Sequence, residues 1–148
     1  MGVEIERKFL VNEAKWKKAK PKSGNKILQG YIVSSPETVV RIRVTGDKGV
    51  ITIKGKTKGI SRLEYEYFIP KEEAEEMLHE FCQKKIIKVR YELNIDGFVW
   101  EIDEFESTKA GLILAEIELS NENEGFSHPE WLDKEVTNLP EYYNVNMI

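Results

Sequence analysis

Near its start the chain reads Glu4-Ile5-Glu6-Arg7-Lys8-Phe9. On a β-strand successive side chains point to opposite faces, so Glu4, Glu6 and Lys8 share one face while Ile5 and Phe9 take the other. Two carboxylates beside an ammonium make a poor core but a workable place for a divalent cation and a polyanion. The pattern returns along the chain. Arg41 and Arg43 share a face, with Val40, Ile42 and Val44 opposite. Lys54 and Lys56 stand against Ile51 and Ile53, and Arg62, Glu64 and Glu66 against Leu63, Tyr65 and Tyr67. Lys88, Arg90 and Glu92 oppose Ile87, Val89 and Tyr91. Glu101 and Asp103 alternate with Trp100 and Ile102, and Glu116 and Glu118 with Ala115, Ile117 and Leu119.

A half-solvated sheet also alternates polar and apolar residues. Its polar face normally carries Thr, Ser, Gln and Asn among the charges, whereas here it is almost all Arg, Lys and Glu, with same-sign pairs at spacing two. Like charges that close repel, and a partner of opposite charge relieves them. Paired Arg and Lys suit phosphate oxygens through charge-assisted hydrogen bonds. Paired carboxylates suit Mg²⁺ or Mn²⁺, which take oxygen ligands.

These residues must be positioned by strands. Alternation predicts strands over 3–11, 26–34, 38–45, 50–58, 61–69, 85–95, 98–106 and 112–119. Turn residues separate them, among them Gly46-Asp47-Lys48-Gly49 and Asp96-Gly97, the latter a strong short-hairpin signal. Helices are predicted over 12–20 and 70–83, the second with Ala74, Met77, Leu78 and Phe81 at helical spacing. The chain after Ser120 is less regular, with short helices expected from Pro129 and over 142–148. Many strands and few helices describe a mainly β, α+β domain spanning residues 1–148, a largely antiparallel sheet or barrel with helices against it. If that sheet closes, its ionic face lines a tunnel and its apolar face packs outward.

The totals exclude other classes. Twenty-two basic against 26 acidic residues, net charge −4, argue against bulk-charge binding of nucleic acid. No apolar run approaches a membrane span, and the charged N-terminus does not look like a signal peptide. The lone Cys82 cannot form an internal disulfide and reads as a buried filler, so a soluble cytoplasmic protein is expected. His79 and His128 lack metal-ligand spacing, Trp16, Trp100 and Trp131 read as packing residues, and Gly46–Gly49 lacks the phosphate-loop pattern.

Glu4-x-Glu6-x-Lys8 resembles the signature of the CYTH superfamily, the triphosphate tunnel metalloenzymes. Later pieces follow in the same order: Gln29-Gly30-Tyr31, Arg41-x-Arg43, Lys54-x-Lys56, Glu64-x-Glu66, Lys88-x-Arg90, Asp103, Glu116-x-Glu118 and Glu135-Val136-Thr137. The resemblance implies an eight-stranded antiparallel β-barrel forming a charge-lined tunnel, with helices packed outside. It implies that Glu4, Glu6, Glu116 and Glu118 hold Mg²⁺ or Mn²⁺, with Glu64, Glu66 and Asp103 as supporting acids. Lys8, Arg41, Arg43, Lys54, Lys56, Arg62, Lys88 and Arg90 would cradle the phosphates of a small-molecule triphosphate, and Lys54 or Lys88 would orient or deprotonate the attacking water.

The opening residues 4–11 look most like those of the short bacterial members that hydrolyse inorganic tripolyphosphate, and little chain is left over for a nucleoside pocket. A class IV adenylate cyclase is the alternative, but it must hold ribose and adenine, and no base-recognition segment stands out. A thiamine triphosphatase needs apolar contacts for the thiazolium ring. A non-catalytic polyphosphate binder gains nothing from paired carboxylates unless a metal sits between. The oligomeric state is left open, a homodimer being one option.

Overall fold

In the computed structural model, which describes residues 2–148, the strands are β1 (Val3–Val11), β2 (Asn25–Ser34), β3 (Val39–Thr45), β4 (Lys48–Lys54), β5 (Ser61–Ile69), β6 (Lys85–Ile95), β7 (Phe98–Phe105), β8 (Ile113–Glu118) and β9 (Leu132–Glu135). Helix α1 covers Glu13–Ala19 and α2 covers Lys71–Phe81. The first eight strands form a closed antiparallel barrel in the order β5-β4-β3-β2-β6-β7-β8-β1. Closure comes where Val3, Glu4 and Ile5 pair with Leu63, Arg62 and Ser61. The rest of that edge of β1 is covered by β9. Closing the ring satisfies edges that would otherwise be open to other strands.

Local chemistry sets the hairpins. Asp96 and Gly97 both have positive φ, +51° and +83°, the mirror-image turn whose twist matches flanking strands. Asn12 accepts from the Lys15 amide at 3.0 Å and caps α1.

The barrel is apolar on the outside and ionic within. Under α1, Trp16 packs with Phe9, Tyr91, Trp100 and Trp131 on the outer face of β1, β6 and β7. On the other flank α2 lays Ala74, Leu78 and the buried Cys82 over Ile42. Two glycines allow that approach. A Cβ on Gly30 would stand 2.7 Å from the Cβ of Cys82, and one on Gly49 would stand 2.8 Å from the Cβ of Ala74.

Four expectations need correction. β4 stops at Lys54, so Lys56 lies beyond the strand, exposed, and does not share the inward face of Lys54. Gly55 N still bonds to Leu63 O, and Lys56 follows outside the strand. The helix expected from Pro129 is replaced by strand β9, because residues 132–135 find the unpaired edge of β1. Residues 142–148 form no regular helix; two single 3₁₀ turns, Pro140–Tyr142 and Asn144–Asn146, stand there. Nor is the inner face ionic throughout. At one end Tyr31, Val39, Ile86, Phe105 and Leu114 form an apolar cluster, closed by Val136 and Met147 of the C-terminal segment.

Candidate active site

Of the residues marked by alternation, Glu4, Glu6, Lys8, Arg41, Arg43, Lys54, Arg62, Lys88, Arg90 and Glu116 line one cavity in the barrel that opens to solvent. Asp103 is buried behind Lys88 and Arg90, and Glu64 stands beside Lys54. Glu66 reaches Arg41 but is half exposed, at the second opening of the barrel. Glu118, paired with Glu6 across the β1–β8 ladder, is exposed, and Lys56 takes no part in the cavity.

Charge is divided around the ring. β7, β8, β1 and β5 carry the acids, and β4, β3 and β6 carry most of the bases. In the acidic sector Glu4 meets Lys54 at 2.8 Å and Arg62 at 3.6 Å, and Lys54 also meets Glu64 at 3.1 Å. Burial alone would raise the Glu4 carboxyl; a hydrogen bond with Glu64 and the Lys54 ammonium outweigh it and hold Glu4 at about 2. The proton goes to Glu64, pushed up to about 7 by burial and by its bond to Glu4. Glu116 pairs with Lys8 at 3.6 Å, and despite burial Lys8 and Arg90 keep its carboxyl well below the ordinary range. The Glu6 side chain makes no ion pair or hydrogen bond among the described residues. Enclosure and the carboxylates of Glu116 and Glu4 push its carboxyl well up.

In the basic sector Arg90 makes a two-pronged contact with Asp103, at 2.7 and 2.9 Å, and reaches Glu101 at 3.0 Å. Asp103 also holds Lys88 at 2.8 Å, and these two cations overcome burial to keep Asp103 strongly acidic. Lys88, 1% exposed, is pushed down to about 7 by burial, opposed by Asp103 and aided by Arg90 and Arg43. Among the described residues Arg43 finds no carboxylate partner. It donates to Gln29 Oε1, and burial with Arg41 and Arg90 nearby lowers it to about 9. Arg41 donates from Nη2 to Thr52 and Glu66, while its buried Nε has no acceptor.

The sequence reading passed over Gln29, Tyr31 and Thr52 as site residues, although all three face inward. Their parity marks them: Thr52 shares a face with Lys54, and Gln29 and Tyr31 flank a glycine on a strand beside Arg43 and Arg41. It also gave no role to the C-terminal segment, whose Tyr143 and Asn144 line the same cavity.

Among the described residues no three acidic, His or Cys groups converge closely enough to enclose a metal ion, Glu4 and Glu116 being turned to lysines. The donor chemistry still fits a hard divalent cation. Every donor is a carboxylate oxygen, and Glu6 stands unpaired where Glu4 and Glu116 raise its proton affinity. A cation there relieves that repulsion.

The chain is similar to known proteins along nearly its whole length. The chain is 48% identical over 149 aligned positions to an inorganic triphosphatase of Acetivibrio thermocellus, covering 100% of this chain and 94% of that protein. It is 32% identical to an inorganic triphosphatase of Nitrosomonas europaea, covering 95% and 93%. The crystal structure of the inorganic triphosphatase NE1496 superposes with a TM-score of 0.65 at 29% identity, over 97% of this chain and 92% of that one. The model of the CYTH domain matches residues 2–146, and the chain belongs to the CYTH family.

Proposed function

We propose that this chain is a metal-dependent triphosphatase that hydrolyses inorganic tripolyphosphate to pyrophosphate and phosphate inside the barrel. One observation carries the reading: among the described residues Arg43 makes no ion pair in the lumen and donates to a neutral carboxamide, while the Glu6 side chain faces the same cavity with no ion pair of its own. A metal–polyphosphate complex supplies both missing partners. Among the described residues no helix is long and apolar enough to cross a membrane.

Family members are metal-dependent in general. Glu4, Glu6 and Glu116 would hold the ion, Mg²⁺ or Mn²⁺, with Glu118 at the rim. A bound ion offsets the charge that develops on the phosphate oxygens during transfer. Arg41, Arg43 and Arg90 bind the chain of phosphates from the opposite wall, with Lys8, Lys54 and Arg62 beside the acids. Their task is positioning and electrostatic stabilisation. Lys88 takes the proton of the attacking water at Nζ. The water oxygen bonds to the terminal phosphorus, the bridging P–O bond breaks, and pyrophosphate leaves with the bonding pair. A side chain held near pH 7 suits that transfer. Lys54, tied to Glu4 and Glu64, orients the metal-side carboxylates. Glu64, Glu66 and Asp103 fix the cations. The whole chain acts as one domain, and its single buried thiol suits the cytoplasm.

Phosphorus NMR on tripolyphosphate, with Mg²⁺ or with excess chelator, tests the proposal. Pyrophosphate and orthophosphate should appear in equal amounts with the ion and neither without it. Undiminished turnover in chelator would overturn it.

A further inference from the structure

The C-terminal segment lines the cavity and touches two of its lysines. Its entry is clamped: Arg7 forks onto Glu135 at 2.8 and 2.6 Å, Val136 N donates to Lys8 O at 2.8 Å, and Lys8 N donates to Thr137 Oγ1 at 3.1 Å. Its far end is held by buried Met147. Between these anchors Asn146 Nδ2 donates to Pro140 O at 2.9 Å, folding the segment on itself. So braced, it presents two acceptors to lysines of the site. Tyr142 O accepts from Lys8 Nζ at 3.0 Å, and Asn144 Oδ1 accepts from Lys88 Nζ at 2.8 Å and from Gln29 Nε2 at 3.4 Å.

We propose that Asn144 is a positioning residue for Lys88, fixing the direction in which its amine faces the substrate. The inference rests on the reading of Lys88 as the group that takes the proton from water. A neutral amine has two N–H bonds and one lone pair in a tetrahedral arrangement. Asp103 Oδ2 and Asn144 Oδ1, both at 2.8 Å, accept the two N–H bonds. The lone pair is then left the remaining direction, away from both acceptors. With Asp103 alone the amine rotates about the Cε–Nζ bond, and the lone pair has no set aim. Asn144 does this without adding charge. The charged groups that act on Lys88 come from elsewhere: Asp103 on β7, Glu116 on β8, Arg43 on β3 and Arg90 on its own strand.

The test follows the titration of Lys88 itself in enzyme labelled with ¹³C at lysine Cε, the Lys88 signal being identified by its loss in Lys88→Arg. Asn144→Ala removes an acceptor that favours the ammonium, so the midpoint should fall by roughly half a unit, whereas Asn144→Asp adds a negative charge and should raise it by about one unit or more. The acid limb of kcat for tripolyphosphate should move with the midpoint in each case. In Asn144→Ala kcat at the plateau should drop about tenfold with KM nearly unchanged, as expected of lost alignment rather than lost binding. Asn146→Ala, which loosens the brace and keeps the acceptor, should shift the midpoint and the limb in the same direction as Asn144→Ala and by less. A residue of purely structural importance would not move the titration in opposite directions in the two Asn144 variants. Unmoved or equally moved midpoints, with Lys88→Ala inactive, would overturn the role of Asn144 while leaving that of Lys88. A Lys88→Ala enzyme within twofold of full activity would overturn both.

Discussion

Arg43 donates from both Nε and Nη2 to Oε1 of Gln29, at 3.1 and 2.9 Å. The fork that a guanidinium usually offers to a carboxylate is here spent on a neutral oxygen. The geometry of Arg43 is thereby fixed and its charge kept for a polyanion. Gln29 Nε2 in turn donates to Tyr31 at 3.0 Å, so the carboxamide is held in that sense.

Gln29→Glu should therefore trade function for stability. A carboxylate against Arg43 would raise the urea midpoint of the ligand-free protein. It would also raise KM for tripolyphosphate by roughly tenfold or more, since a hydrogen bond to a charged group is worth about 1.5–3 kcal/mol. Unchanged KM in a folded variant would place the phosphates elsewhere.

Removing the spare cation should show the converse. Arg43→Met should melt higher than the parent without ligand, because repulsion from Arg41 and Arg90 is relieved. Its kcat/KM for tripolyphosphate should fall roughly ten- to a hundredfold, and Arg41→Ala should lose activity on the same scale. Thermal melts and steady-state kinetics on the same preparations check both halves.

Glu6→Gln keeps the shape of the side chain and deletes one charge from the acidic sector. Mn²⁺ affinity by titration calorimetry should weaken and turnover should fall far more than stability does. The parent enzyme should lose turnover in EDTA and regain it with Mg²⁺ or Mn²⁺.

Much of this site was legible in the sequence because a strand has a period of two and the chain keeps to it. Glu4, Glu6 and Lys8, or Arg41 and Arg43, point inward together since no bulge interrupts them. The rule fails where the strand fails: Lys56 follows Lys54 at the right spacing, but β4 has already ended. The inward parity of Gln29 and Thr52 was legible but their part in the site was not, because a neutral side chain gains its meaning here from the arginine across the ladder. Asn144 was hidden for another reason. It sits on a single 3₁₀ turn with no period to read, and its contact with Lys88 spans 56 positions of sequence. The apolar plug of Val136 and Met147 is likewise a tertiary outcome, since neither lies in a patterned strand or helix.

The Glu4–Glu64 pair gives stability a pH dependence whose sign is fixed. Glu64 is raised from its ordinary 4.5 to about 7, so it binds a proton more tightly when folded. Its contribution to stability is complete below about 4.5 and is lost as pH rises through about 7. Between pH 5 and pH 8 the parent should lose more stability than Glu64→Gln, which keeps a hydrogen-bonding group with no proton to release. Urea midpoints of the two proteins at both pH values isolate the effect. Parallel curves would remove Glu64 from the account.

Charged side chains dominate the described lining of the cavity, which makes the choice of substrate the most direct test. Rates of phosphate release from tripolyphosphate and from ATP, measured side by side with cyclic AMP formation in the same metal buffer, decide it. Tripolyphosphate should be hydrolysed much the faster, ATP should give slow phosphate release at most, and no appreciable cyclic AMP should form. A nucleoside adds desolvation and ordering costs that an ionic wall does not return. Cyclic AMP formed from ATP faster than phosphate is released from tripolyphosphate would contradict the triphosphatase account and identify a cyclase.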